Sequence, residues 1–303
     1  MRSGVLMMDK PRGMTSHDVV AAVRRCLGMR AVGHTGTLDP EASGLLLLCL
    51  GRGTKFARFF EALEKTYWAV MRLGVCTDTQ DATGSVTRQC DVATVEKAQV
   101  ETVLAQFRGV IQQIPPMYSA VKHRGQRLYH LARQGQIVPR DPREVFIRRL
   151  ELLHVEGPWV TLSVTCSKGT YIRTLCEDIG LALGYGAHLQ HLQRCRIGPF
   201  SLRQACTLEG LQQQAADGAL EALLPLSEAL DFLPPLPVTM RQYWELRTGQ
   251  GRMLPTQLVD TAPQSLVASS YRLCTPSNTT VAVMHRQPAT SKRWKVYQLE
   301  TEG

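Results

Sequence analysis

Residues 159–166, Trp159-Val160-Thr161-Leu162-Ser163-Val164-Thr165-Cys166, alternate apolar and polar side chains from Val160 onward. A period of two sorts side chains to opposite faces of a pleated strand, so this segment reads as a strand with one buried face. Thr66–Leu73, rich in aromatic and β-branched residues, reads as another. Helical patterns are interspersed. Thr15–Gly28 opens with hydroxyl residues, places Val19, Val20, Val23 and Leu27 on one face, and closes with basic residues and Gly28. A second helix is expected from Thr94 to Phe107, stopped by Gly109. The regular strand–helix alternation of a doubly wound parallel sheet is missing. The expected class is α+β with a mixed, mostly antiparallel sheet.

A chain of 303 residues exceeds what one hydrophobic core usually organises. The expected division falls at the proline-rich stretch 225–237, where Pro234-Pro235-Leu236-Pro237 reads as a linker. Residues 1–235 then form the main domain. Residues 236–303 form a small β-rich one, with strand-like runs at 266–273, 281–284 and 294–299.

Composition narrows the function. A hydrophobic content of 44% excludes a disordered chain, and the excess of 35 Lys+Arg over 26 Asp+Glu favours a polyanionic partner. That charge is uneven: residues 121–149 carry eight Lys or Arg and two acidic residues, interleaved with His123, Tyr129 and His130. The composition suits a protruding arm that grips a phosphate backbone, although a solvated helix face has the same look. The apolar run Leu45–Leu50 is far short of the ~20 residues that span a bilayer, and the N-terminus lacks a signal-length apolar stretch, so a cytoplasmic protein is expected. Nine cysteines without a Cys-x-x-Cys pair read as reduced, packed thiols. His188 and His191 could share a helix face but have no second ligand pair, so no metal is expected.

The most unusual stretch is Gly33-His34-Thr35-Gly36-Thr37-Leu38-Asp39-Pro40-Glu41-Ala42-Ser43-Gly44, which runs into the apolar segment. Its glycines allow close backbone approach, and Pro40 biases Asp39 toward extended geometry, so a carboxylate is set just before the chain enters the core. A purely structural Asp-Pro turn is the competing reading. Three other motifs are incomplete. Gly51-Arg52-Gly53-Thr54-Lys55 lacks phosphate-loop spacing, and Ser119-Ala120-Val121-Lys122 matches Ser-x-x-Lys without the companion Lys-Thr-Gly. His34 and Asp39 have an acyltransferase-like spacing in a chain without a membrane segment.

Gly33-His34-Thr35-Gly36-Thr37-Leu38-Asp39-Pro40 resembles the signature of the TruB family of tRNA pseudouridine synthases. Further blocks are similar to that family in order: Asp9–Ser16, Lys65-Thr66-Tyr67 with Leu73-Gly74 and Thr77–Asp81, Pro115–Lys122 continuing to Arg133, Cys166–Arg173, and Gly186–Arg194. The resemblance covers residues 9 to about 200. It implies a catalytic domain of pseudouridine-synthase type over residues 1–235, with an inserted basic thumb at about 112–149. Residues 236–303 have the size and β-rich look of the PUA-like RNA-binding domain that the family often carries.

The implied reaction converts uridine to pseudouridine at position 55 in the tRNA T-loop. It consumes neither water nor electrons and calls for no cofactor. Asp39 is implied as the catalytic carboxylate, acting as nucleophile or base. Arg173 is implied as its cationic partner, and Tyr67 as the platform for a uracil flipped out of the loop. Leu192 would close the apolar wall, His34 would hold the loop open, and Lys10 would support the site or contact phosphate. Tyr171 belongs to the Arg173 motif. The alternatives are a core tyrosine for Tyr67, a helix-core leucine for Leu192, a loop-capping histidine for His34 and a surface basic residue for Arg173. Lys122, Arg124, Arg127 and Arg133 are candidates for contacting the RNA backbone. The partner is tRNA, no protein partner is implied, and a monomer is the default. A tRNA-binding chaperone would use the same basic arm, and an acyl-transfer enzyme would ignore RNA.

Overall fold

The computed structural model describes residues 3–92, 94–248, 270–275, 277–286 and 294–299. Leu45–Leu50 explains the centre of the fold. A strand with no polar side chain must be buried on both faces. Within the strand Ser43–Leu50, Leu45, Leu47 and Cys49 join one core with Val5 and Met7. Leu46, Leu48 and Leu50 join a second core with Leu6 and Met8. The neighbouring strand Gly4–Lys10 pairs antiparallel with it along its whole length.

Among the described residues the main sheet has ten strands. Eight form its path: β1 (Gly4–Lys10), β2 (Ser43–Leu50), β3 (Lys65–Leu73), β4 (Gly109–Gln113), β5 (Arg143–Glu156), β6 (Trp159–Cys166), β7 (Ala187–Ile197) and β8 (Leu223–Leu224). Their order across the sheet is β8-β1-β2-β7-β3-β6-β5-β4. Every junction on this path is antiparallel except β2 with β7, where Ser43 and Gly44 meet Gln193 and Arg194. Gly44 is required there: its φ is +102°, and a Cβ would lie 2.5 Å from the Arg194 carbonyl oxygen.

Beyond that seam the sheet becomes one-sided, as the alternating sequence anticipates. Val160, Leu162, Val164 and Cys166 of β6 point into a third core with Ala69, Met71 and Leu73 of β3. Two helices cover this face, Lys97–Ala105 and Ile172–Ala182, through residues such as Val100, Leu104, Leu175 and Ile179. On the opposite face Trp68 is exposed.

Local signals held where caps are local. The first helix runs Ser16–Leu27, with Thr15 and Asp18 forming a reciprocal capping box and Gly28 at φ 61°. The Lys97–Ala105 helix starts later than the expected Thr94 because Glu96, in extended geometry at φ −79° and ψ 141°, is its cap. Pro235–Pro237, read as linker, is instead an edge strand pairing parallel with Ser270–Cys274. Proline tolerates an edge because no partner there requires its missing N–H. Thr280–Arg286 and Trp294–Gln298 complete that second sheet, while the 266–269 part of its expected first strand lies outside the described residues. The second sheet packs on the helical turns of residues 51–61, where Tyr297 lies 5.9 Å from the ring of Phe56 and 5.7 Å from that of Phe59, and its Val283 joins the core of Val5, Met7 and Leu45.

His188, His191 and Leu192 lie on β7 rather than on a helix. The alternation of β7 is broken by a bulge between Leu189 and His191, which mimics helical spacing in the sequence. The basic arm departs from the sheet after Gln113 and returns at Arg143, so Arg143–Arg149 belong to β5. No helix among the described residues is long and apolar enough to cross a membrane.

Candidate active site

The Asp39 loop is tied down on both sides of the aspartate. Val32–His34 pairs with β2, and Thr35 N–H donates to the Leu47 carbonyl at 3.0 Å before the chain leaves the sheet. The buried Ser16 hydroxyl accepts from Leu38 N–H at 2.9 Å and lies 3.2 Å from the Leu38 carbonyl. On the other side Lys10 Nζ donates to the carbonyls of Pro40 at 3.1 Å, Met14 at 2.6 Å and Pro11 at 2.9 Å. Ala42 N–H closes the turn onto the Asp39 carbonyl at 3.1 Å. With Leu38 and Pro40 both held, the Asp39 side chain projects outward at 42% exposure.

Lys10 is fully buried, so its ammonium organises the loop and does not face a phosphate in this structure. Burial pushes it down to about 8, opposed by the negative charges of Asp39 and Glu41.

Arg173 comes from the second position of the Ile172–Ala182 helix, and only 6% of its side chain is exposed. Its Nε donates to Asp39 Oδ2 at 2.9 Å and its Nη2 reaches Asp39 Oδ1 at 3.4 Å, a two-pronged contact. The remaining donors are also engaged: Nη1 donates to the Thr79 carbonyl at 3.0 Å, and Nη2 to the Tyr118 carbonyl at 2.9 Å. Asp81 Oδ2 stands 3.7 Å from Nη1, so one guanidinium lies between two carboxylates. Asp81 is itself fixed by the hydroxyls of Thr79 at 2.7 Å and Thr83 at 2.6 Å. Gln80, at φ 63°, accepts from the Thr174 hydroxyl at 2.7 Å and also bonds Glu177, both on the Arg173 helix.

Tyr67 lies opposite Arg194 in the pairing of β3 with β7. Arg194, 1% exposed, donates from Nε to the Leu45 carbonyl at 2.7 Å and from Nη2 to the Gly36 carbonyl at 3.1 Å. It also bonds the Tyr67 hydroxyl, and its burial lowers its proton affinity while burial raises that of the Tyr67 phenol. Tyr67 lies within electrostatic reach of Asp39. Leu192, opposite Ala69, packs with Tyr67 against the third core. His34 meets His17 edge-on at 5.1 Å between ring centroids, and its Nδ1 accepts from Gly36 N–H at 3.3 Å. Burial, then the charges of His17 and Arg194, push His34 down to about 4, so its imidazole is neutral.

Asp39, Arg173, Tyr67, Leu192, His34 and Lys10 thus converge near the parallel seam of the sheet. Tyr171 occupies the position before the Arg173 helix without a capping side-chain bond, and the Arg143 guanidinium lies 4.5 Å over its ring. Lys122, Arg124, Arg127 and Arg133 are exposed on the arm, apart from this cluster. Arg127 and Arg133 flank the Tyr129 ring at 5.9 and 5.7 Å. A separate cleft of about 990 Å³ lies between the helical turns of residues 51–61 and the second sheet, bordered by Arg52, Lys55, Arg58, Tyr243, Lys295 and Tyr297. It shares none of the Asp39 residues.

Arg194, Asp81 and Ser16 were not singled out from sequence. No local pattern marks Arg194, because the acceptors that make its burial tenable come from segments far along the chain.

Residues 24–172 match the TruB family pseudouridylate synthase N-terminal domain, and residues 173–231 match the tRNA pseudouridylate synthase B C-terminal domain. The chain belongs to the TruB family. The tRNA pseudouridine synthase B of Stutzerimonas stutzeri is 50% identical over 248 residues, 80% of this chain and 81% of that one. The protein of the same name from Geobacillus thermodenitrificans is 44% identical over 94% of this chain and 95% of its own. Among solved structures, a Cbf5-Nop10-Gar1 complex contains a chain with TM-score 0.69 and 27% identity, covering 99% of this chain and 84% of that one. Family membership accounts for the mixed fold and for the Asp39 motif together.

Proposed function

We propose that this chain isomerises uridine to pseudouridine at position 55 in the T-loop of tRNA. The observation that carries this reading is the Asp39 carboxylate, open to solvent and gripped from behind by the buried Arg173. Relatives 50% and 44% identical to this chain are named tRNA pseudouridine synthase B.

The reaction breaks the C1′–N1 bond, rotates the uracil, and forms a C1′–C5 bond. The C5 proton is released and N1 gains one, so atoms balance with no oxidant, reductant or water consumed. Asp39 acts as nucleophile or base toward the nucleotide. Arg173 fixes the carboxylate in one orientation, which removes the cost of arranging it during the reaction. The uridine must leave its stack to reach Asp39. Tyr67 supplies the aromatic face against which the uracil rests, and Leu192 the apolar wall. Lys10 and His34 hold the Asp39 loop, and Tyr171 supports the Arg173 helix. No cofactor takes part in these steps.

Recognition of the RNA divides between two surfaces. The arm, residues 114–142, offers Lys122, Arg124, Arg127 and Arg133 to the phosphate backbone. Residues 236–303 serve as a PUA-like module, and the basic cleft against residues 52–58 supplies further contacts, the catalytic domain being residues 1–235. The enzyme works alone, as a cytoplasmic monomer on tRNA.

The test is incubation with an unmodified tRNA transcript followed by carbodiimide treatment and primer extension. A new stop at T-loop position 55 is expected. Its absence, with a folded protein confirmed by circular dichroism, refutes the assignment.

A further inference from the structure

The two ends of the arm meet at one point of the sheet. Gln113, the last residue of β4, and Arg143, the first of β5, are register partners. Both grip the loop that leads into the Arg173 helix. Gln113 is 1% exposed, and its carboxamide makes two bonds to one residue: Oε1 accepts from Tyr171 N–H at 2.8 Å, and Nε2 donates to the Tyr171 carbonyl at 3.0 Å. Arg143 stacks over the Tyr171 ring and donates to the Gly169 carbonyl. The Tyr171 side chain makes no cap of its own, so the start of this helix is located by Gln113 from another element.

Two residues further on, Arg173 donates to the carbonyl of Tyr118, which already belongs to the arm. The catalytic ion pair is therefore connected to the arm twice, once through Tyr171 and once through Tyr118. Three buried polar atoms without a partner among the described residues lie at this same root: Ser119 Oγ, Arg140 Nε and Arg143 Nε. Unmet buried groups are uncommon and costly, so a shift of the arm has hydrogen bonds to gain.

We propose that Gln113 is a positioning residue: by clamping the Tyr171 backbone to the arm root, it aligns Arg173 with Asp39. The proposal rests on the isomerase reading above. It concerns no atom that touches the nucleotide. Gln113 acts through Tyr171, and its effect falls on the rate of the chemical step, not on the affinity for RNA.

The experiment uses the full-length protein and tRNA labelled with tritium at uridine C5, whose release follows isomerisation. Gln113→Leu keeps the volume and deletes both hydrogen bonds. Its single-turnover rate is expected to fall about 10- to 100-fold, the scale of a small misplacement of reacting groups, while the Kd for tRNA changes by less than about threefold. Gln113→Glu adds a readout that mere structural support does not move. An ionised carboxylate accepts from Tyr171 N–H but cannot donate to its carbonyl, whereas the protonated acid does both, as the amide does. The rate of Gln113→Glu relative to wild type is therefore expected to rise as pH is lowered from about 8 to about 5.5. A Gln113→Leu rate within about twofold of wild type overturns the proposal. Should that variant fail to fold, a pH-independent Gln113→Glu ratio overturns it instead. Wild-type protein that releases no tritium would sink the isomerase reading itself, a distinguishable result.

Discussion

Arg194 and Tyr67 face each other across β7 and β3, and the buried guanidinium bonds the phenol while also holding the carbonyls of Leu45, Gly36 and Thr37. One side chain thus ties Tyr67 to the loop that presents Asp39. Burial alone would disfavour such a cation. Four acceptors around one fork make it tenable, and they make it hard to replace.

Arg194→Met leaves those carbonyls and the Tyr67 hydroxyl without their donor. Loss of bonds to a buried charged group is expected to reduce unfolding free energy by about 2–3 kcal/mol, read from the urea midpoint. Isomerisation should fall with it, because Gly36 and Thr37 lie just before Asp39. A variant as stable and as active as wild type would contradict the role given to Arg194.

Lys10 sets a pH dependence. Its folded value, about 8, lies below the ~10.4 of an unfolded lysine, so the folded state releases its proton first. Between those values the unfolded state binds more protons, and stability gains with rising pH from this group. The expected result is a stability difference between wild type and Lys10→Met that grows in favour of wild type from pH about 7.5 to about 9.5. Urea unfolding at both values checks it, and a constant or shrinking difference contradicts it.

His34 predicts the absence of a titration. Since its imidazole stays neutral above about 4, His34→Gln should leave the shape of the pH–rate profile between pH about 5.5 and about 8 unchanged, even where the rate itself drops. Loss of a limb of that profile in the variant would show that His34 changes charge during turnover.

The arm predicts salt dependence. Each Ala replacement at Lys122, Arg124, Arg127 or Arg133 should lower the slope of log affinity against log salt by about 0.7–0.9. The single-turnover rate at saturating tRNA should hold within about twofold. Filter binding across a salt series measures the first, and unchanged slopes would remove these residues from the RNA interface.

What could be read from sequence divides by range of interaction. The Thr15–Asp18 capping box and the Gly28 stop involve neighbours in the chain, and both were legible. The alternation of Trp159–Cys166 fixed which face of β6 is buried. Pro235–Pro237 was misread because its strand pairing depends on Ser270–Cys274, far along the chain. The β7 bulge had the same effect, giving His188 and His191 a helical spacing on a strand. Within the site, the motif pointed to Asp39, Tyr67 and Arg173. The Arg194 fork and the Ser16 clasp join segments more than twenty residues apart, and no local pattern announces them.

The Asp39 carboxylate, held by Arg173, is expected to carry out the isomerisation. The most direct measurement is tritium release from C5-labelled tRNA by Asp39→Asn beside wild type, with tRNA affinity determined in parallel. The account predicts no detectable release by the variant, with tRNA still bound. Release at a rate near that of wild type would place the chemistry on another group, and the account would fail.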